Sequence, residues 1–247
     1  LIDFENMIDG AISPILRLKI NRSACNMKCE HCCEEPYMTR DLIKKTGKKD
    51  PRKQMDLEDY RKLSDEADKL GLFRFVITGG EALLDRNLED LIKALDPYKH
   101  LIILDTNGFY FNEEKAKWFA GLGGYKVQIS LDSWYEEEHD AFRNTKGAYK
   151  RAINAFKVAK DAGSEVLIST CLVKDRVFKK EFELLVNFCE EEEIPLYVTL
   201  AKPVGSARGH EEWVCTKEDV DHLKFLEDKK NIFTHMTPNY CLLYTSP

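Results

Sequence analysis

Short apolar runs and longer amphipathic stretches take turns along this chain. Runs rich in β-branched and aromatic residues fall at Ile15 to Ile20, Phe73 to Thr78, Leu101 to Asp105, Lys126 to Leu131, Val166 to Val173 and Leu196 to Leu200, and predict six strands. Between them, Leu57 to Leu70, Asn87 to Leu95, Glu113 to Ala120, Ala148 to Ala162 and Lys180 to Glu192 repeat apolar residues at helical spacing, and Lys217 to Glu227 does so after the last run. In the fourth of these stretches Tyr149, Ala152, Ile153, Phe156 and Ala159 share one face, and Gly163 is placed to stop the helix. Strand and helix alternating in this way predict parallel strands joined by right-handed crossovers, an α/β fold. No boundary to a second domain is visible in the pattern.

Strands buried on both faces of a parallel sheet read as nearly unbroken apolar runs. Several here alternate instead: Arg17, Lys19 and Asn21 oppose Leu16, Leu18 and Ile20, and Gln128, Ser130 and Asp132 oppose Val127, Ile129 and Leu131. Side chains alternate across a strand, so helices cover the apolar set and the polar set lines the other side. The expected architecture is a partial (βα)6 TIM-like barrel, incompletely closed and polar inside, with its active site in the loops at the C-terminal ends of the strands.

With 43% hydrophobic and 32% charged residues over 247 positions, the chain can bury a full core. A formal net charge of -6 is not the basic footprint of a bulk nucleic-acid binder. No apolar run reaches the roughly 18 to 20 residues that span a bilayer. The opening LIDFENMIDG has neither the basic nor the apolar region of a signal peptide. The expectation is a cytoplasmic protein with no nucleic-acid or membrane partner, whose clustered cysteines serve metal or redox chemistry rather than disulfides.

The residues that carry chemistry fall in loops after strands. CNMKCEHCC, residues 25–33, follows the first and sets Cys25, Cys29 and Cys32 at C-x3-C-x2-C spacing with Cys33 adjacent. Structural zinc usually takes two well-separated ligand pairs, whereas Cys171, Cys189 and Cys215 are scattered singly. Three close thiolates suit a four-iron cluster with one iron left open to a ligand. Zinc completed by Cys33 or His31 is the competing reading; otherwise Cys33 is left to packing. TGGEALL follows the second strand, where Gly79 and Gly80 let the backbone approach a ligand and Glu81 stands at the rim, although a double glycine there is commonly only a turn. In DTNG, after the third, Asn107 offers a donor and an acceptor or merely caps the turn that Gly108 makes. The fourth strand delivers Ser130 and Asp132 with inward parity, and Arg143, thirteen residues beyond Ser130, is suited to fork a carboxylate. His139 is read as a packing or capping residue. AKPVGSARGH, after the sixth strand, carries Lys202 and Arg208 and is either a substrate rim or a solvated connection.

In these motifs and their order the chain resembles the radical S-adenosylmethionine (radical SAM) superfamily, over essentially the whole length to about residue 210. The C-x3-C-x2-C motif and the GGE motif of Gly79, Gly80 and Glu81 stand after the first and second strands, followed by the TNG loop and the SLD…HD…R run. The resemblance implies that Cys25, Cys29 and Cys32 hold a [4Fe-4S] cluster whose fourth iron chelates the amino and carboxylate groups of S-adenosylmethionine. It implies further that His31, at the usually aromatic position before the last cysteine, approaches the adenine, and that the Gly79 to Glu81 backbone receives the methionine amino group. Asn107 joins the cofactor set, and Ser130 and Arg143 contact the ribose and carboxylate. Ala82 departs from the usual proline after GGE, and one extra residue separates Ser130 from Arg143. The implied reaction begins when an electron, from a reductant such as a flavodoxin or ferredoxin, passes through the cluster and cleaves the cofactor to methionine and a 5′-deoxyadenosyl radical. That radical abstracts hydrogen from the substrate. No side chain acts as acid or base in this first step, so no further catalytic residue is assigned.

Within the superfamily the core resembles members that continue into a SPASM or twitch extension with auxiliary clusters, many of which modify peptides or protein side chains. The alternatives are a molybdenum-cofactor-type cyclisation and a non-catalytic zinc or electron-transfer module. Residues 1–240 are expected to be a core-domain fragment, since the chain begins at Leu1 and the extension would follow. Residues 241–247, CLLYTSP, are what a transposase adapter of sequencing libraries encodes, and are expected to be a non-native tail in which Cys241 has no role. The segment 39–54, with seven Lys or Arg against two Asp, is expected to be a solvated loop, a lid or acidic-peptide docking surface being the alternative.

Overall fold

Seven strands form one sheet in strict chain order: β1 (Ile15–Ile20), β2 (Arg74–Gly79), β3 (Leu101–Thr106), β4 (Gly124–Ser130), β5 (Glu165–Leu172), β6 (Leu196–Leu200) and β7 (Ile232–His235). Every pairing is parallel. The computed structural model describes residues 15–20, 24–33 and 55–235; Asn21, the basic segment 39–54 and the tail 241–247 lie outside the described residues. The six expected strands are β1 to β6, with ends displaced by no more than two residues. The seventh was not expected, because IFTH is too short a run to show a period. Since β1 and β7 are the two edges, the sheet stays open, as a partial barrel.

The crossovers are α1 (Leu57–Lys69), α2 (Leu88–Ala94), α3 (Glu113–Gly121), α4 (Glu136–Phe142), α5 (Ala148–Asp161), α6 (Lys180–Glu191) and α7 (Lys217–His222). The last expected helix is thus divided, α7 passing into a 3-10 turn at Leu223–Asp228. Capping starts α1: the Asp56 carboxylate accepts from Asp59 N–H at 3.0 Å while Asp59 accepts from Asp56 N–H at 3.0 Å, so two donors without helical partners are satisfied together. Its buried residues Tyr60, Ser64 and Ala67 follow at helical spacing. In α5 the buried set is Ala148, Ala152, Ala155, Phe156 and Ala159, small enough to bring the helix close to the sheet. No helix among the described residues is long and apolar enough to cross a membrane.

One apolar layer lies between the helices and the outer face of the sheet, joining Phe75, Ile77, Leu104, Val127, Ile129 and Ile168 to Phe119, Ala152 and Leu185. Burying each of the larger side chains contributes about 1.5–3 kcal/mol, so this layer holds the fold. The opposite parity lines the inner face, where Lys19 stands beside Thr78, Asp105 beside Gln128, Ser130 beside Ser169 and Ser169 beside Tyr197. Arg17 reaches across β2 to Asp105 at 2.7 Å.

Candidate active site

The cysteine loop 24–33 opens directly beyond β1 and is tied to distant parts of the chain by backbone hydrogen bonds. Glu81 N–H donates to Ala24 O at 2.8 Å, Cys32 N–H to Cys29 O at 3.3 Å, and Ser206 N–H to Cys32 O at 2.8 Å. Met27 is buried beneath it and its N–H donates to Cys25 Sγ at 3.4 Å. Cys25 and Cys33 are exposed, Cys29 and Cys32 half-buried. Gly79 is required by the fold itself: it sits at φ +148, and a Cβ there would fall on the Ile20 carbonyl at the end of β1. Gly80 follows, half-buried.

Glu81 is not at the rim. It is buried, with one oxygen accepting from Thr106 Oγ1 at 2.8 Å and from Leu83 N–H at 3.2 Å, and the other accepting from Asn107 N–H at 2.9 Å. Burial pushes its carboxyl up, against these three hydrogen bonds. The side chain therefore fixes the TNG loop, and only the backbone of this residue faces the cysteine loop. Asn107 both caps its turn and reaches the cysteines: Oδ1 accepts from Phe109 N–H at 2.9 Å, while Nδ2 donates to Asn26 Oδ1 at 2.9 Å and lies 3.9 Å from Cys25 Sγ.

Asp132, inward in parity but given no role above, is the hub of the other side. Its Oδ2 accepts from Arg143 Nε at 2.6 Å, its Oδ1 from Cys171 N–H at 3.0 Å, and its carbonyl from Arg176 Nη1 at 3.3 Å. Burial would raise this carboxyl, but the Arg143 guanidinium beside it outweighs that and holds it well below the usual range; Arg143 is raised in turn by the same partner, against its own burial. The rest of the Arg143 fork turns to the cysteine loop, with Nη1 4.0 Å from Cys29 Sγ. The arginine expected to hold a ligand carboxylate thus already has one carboxylate partner. Ser130 ends β4 on the inner face with Ser169 opposite. His139 is fully buried and its Nδ1 accepts from Asp132 N–H at 3.1 Å, which leaves its proton on Nε2; burial pulls its pKa down to about 4. It packs and caps, as expected.

His31 stacks on Phe142 with ring centroids 4.0 Å apart and planes 8° from parallel. That contact occupies one face of Phe142, so the Arg176 guanidinium, 3.8 Å from the same ring, covers the other. Burial lowers His31 to about 4, and the imidazole is neutral at ordinary pH. Phe142 and the contacts of Asp132 were missed because α4, a short and mostly acidic helix, breaks the helical pattern that marked the others, and Arg176 because it lies in a short 3-10 turn after β5. Only the inward parity of Asp132 was readable.

Two buried polar atoms in this loop, Asn26 Nδ2 and His31 Nδ1, have no partner in the protein. Among the described residues, no three His, Cys, Asp or Glu side chains converge on a point that suits one metal ion. A single zinc needs all its thiolates at about 2.3 Å from one centre, whereas each thiolate of a cluster ligates a different iron. The donor set and the unpartnered polar atoms fit an iron-sulfur cluster with a polar ligand beside it.

Inside the barrel, below this layer, the Asp105 carboxyl is pushed up to about 6 by burial, against its Arg17 partner and a Thr78 hydrogen bond. The folded value lies above the unfolded one of about 3.9, so the native state binds more protons between those values. Its contribution to stability is therefore greatest below about pH 4 and falls as pH rises through about 6. Asp105→Asn should remove that slope; urea midpoints of both proteins at about pH 4.5 and 7 check it, and equal pH slopes would refute it.

The geometry described so far sets three cysteines at the C-terminal end of β1 in an open parallel sheet, with polar groups from the β2, β3 and β4 loops around them. The family model of the Radical SAM superfamily matches residues 23–189, a span that holds the cysteine loop and runs into α6. The chain belongs to the radical SAM superfamily. Radical SAM proteins are enzymes that bind a [4Fe-4S] cluster and S-adenosylmethionine. The AdoMet-dependent heme synthase of Nitratidesulfovibrio vulgaris is 25% identical over 231 residues, 91% of this chain and 59% of that protein. SuiB of Streptococcus suis, solved bound to S-adenosylmethionine, superposes with a TM-score of 0.67 at 16% identity, covering 89% of this chain and 50% of SuiB. Bound to its precursor peptide SuiA it superposes at 0.63 and 18%, covering 94% and 52%. The structural likeness is one of radical SAM fold, and the chain spans between half and three-fifths of these relatives' length.

Proposed function

We propose that this chain is the core of a radical SAM enzyme that acts on a peptide or protein side chain, with its cofactor site at Cys25, Cys29 and Cys32. The observation that carries the proposal is the approach of Asn107 to Cys25 and of Arg143 to Cys29 from two different loops, 3.9 and 4.0 Å from the sulfurs. The three thiolates would hold the cluster. Arg143, kept charged and in place by Asp132, would turn its remaining N–H groups to the cofactor carboxylate, a bidentate contact that suits guanidinium. The Gly79, Gly80 and Glu81 backbone would take the amino group, Asn107 and Ser130 further polar contacts, and the His31 ring, backed by Phe142, the adenine. Glu81 works at one remove, by fixing the backbone of Asn107. When bound, the cluster and S-adenosylmethionine supply one-electron cleavage of the sulfonium and hydrogen-atom abstraction from the substrate. The electron would come from a flavodoxin or ferredoxin. A peptide substrate is favoured by the open, polar inner face and by the likeness to SuiB in its peptide complex.

The test is anaerobic reconstitution with iron and sulfide, then electron paramagnetic resonance of the reduced protein with and without S-adenosylmethionine. The expected result is a [4Fe-4S] signal that changes on adding the cofactor, with methionine released on incubation. Uptake of zinc in place of iron, or a cluster indifferent to the cofactor, would overturn the assignment.

A further inference from the structure

The loop after β6 is neither merely a rim nor a solvated connection, for part of it lies against the cysteine loop. Gly205–Ala207 form a 3-10 turn in which Gly205 and Ala207 are buried. Gly205 sits at φ +63, and a Cβ built there would run into the carbonyl oxygen of Cys32 and come within 2.6 Å of the carbonyl carbon and oxygen of Cys33. These are backbone atoms, which cannot swing aside as the end of a flexible side chain can. The next N–H, that of Ser206, donates to Cys32 O at 2.8 Å. The same stretch grips the site a second time: Ala201 before it and Trp213 after it pack in one apolar cluster with Phe142, on which His31 is stacked.

We infer that Gly205 is a positioning residue for Cys32. Its lack of a side chain lets the β6 loop seat directly on the Cys32–Cys33 peptide and fix the direction of the third thiolate. Cys25 and Cys29 have side-chain donors near their sulfurs, from Asn107 and Arg143, and the main chain of Cys32 is backed by the loop after β6. The inference rests on the cluster reading above and adds to it a determinant from the far end of the sheet. Gly209, in the same stretch, separates contact from conformation: it has φ +88, yet nothing lies within 4 Å of where its Cβ would be. Alanine at Gly209 meets the strain of a positive φ alone; at Gly205 it also meets the cysteine loop.

Wild type, Gly205→Ala and Gly209→Ala are reconstituted anaerobically with iron and sulfide, then challenged with a chelator. Gly205→Ala is expected to lose iron about ten-fold or more readily than the other two, the scale on which groups behind metal ligands act. Its reduced resonance spectrum is expected to change while circular dichroism stays that of wild type. Gly205→Ala matching wild type, or Gly209→Ala failing equally, overturns the role. Should Gly205→Ala not fold, amide exchange in the wild type decides: the Ser206 N–H is expected to exchange several-fold more slowly once the cluster is loaded, and an unchanged rate overturns the inference. A wild type that takes up no cluster defeats the reading of the site itself, and this role with it.

Discussion

Replacing Cys25, Cys29 and Cys32 together by alanine is expected to abolish iron and sulfide uptake while leaving the fold in place. The first half follows from ligand chemistry, since thiolates are the usual ligands of cluster iron and these three stand at the C-x3-C-x2-C spacing. The second half follows from what pins the loop. The variant loses the long contacts of Asn107 and Arg143 to the Cys25 and Cys29 sulfurs, but the hydrogen bonds to Glu81 and Ser206 are made by backbone atoms and the shorter Asn107 contact by Asn26, and these remain. Cys33→Ala and Cys171→Ala are the comparisons. Cys33 lies outside the C-x3-C-x2-C spacing, and Cys171 stands on β5, outside the loop, with its N–H donating to Asp132. Both variants should keep iron at the wild-type ratio. A triple variant that still shows iron-sulfide absorption would move the site elsewhere.

Asp132→Asn should be the most destabilising single polar change at the site. The carboxylate is wholly buried and paired with a guanidinium that is only 12% exposed, so losing its charge leaves Arg143 uncompensated. Breaking a buried pair from one side costs about 3–5 kcal/mol. For a chain of this length that is a fall of roughly 6–20 °C in Tm. Asn keeps an oxygen for Cys171 N–H, which makes the loss report mainly on charge. Adding Arg143→Gln should return part of the stability, and a thermal-melt double-mutant cycle reads that coupling. A single-variant Tm within about 2 °C of wild type would show that the pair is not a support.

The strands and long helices were legible because their patterns are local. Alternation in Lys126 to Leu131 fixed which residues face the helices, and Val127, Ile129 and Leu131 are indeed buried there. Tyr149 to Ala159 repeats at helical spacing over three turns, which few other structures produce. The site was legible as motifs but not as contacts. TGGE looks like a ligand loop with its acid outermost, yet the carboxylate folds inward because the Thr106 hydroxyl and Asn107 N–H offer donors that only the tertiary structure places there. The Asp132 hub depends on α4, whose EEEHDAF has Tyr135 in place of a capping side chain. The seat of Gly205 on Cys32 joins two loops far apart in the chain, and no local pattern records it.

The strand order has a consequence for how the protein is made. Each strand pairs only with its neighbours in sequence, so every sheet contact joins segments made one after the other. Nothing in the sheet waits for β1 to meet β7. The cysteine loop is the exception: it follows β1, but the turn that backs Cys32 follows β6 and is made five strands later. Until β6 and the turn after it are made, the third thiol lacks its seat, so the ligand set is finished later than the strand that carries it.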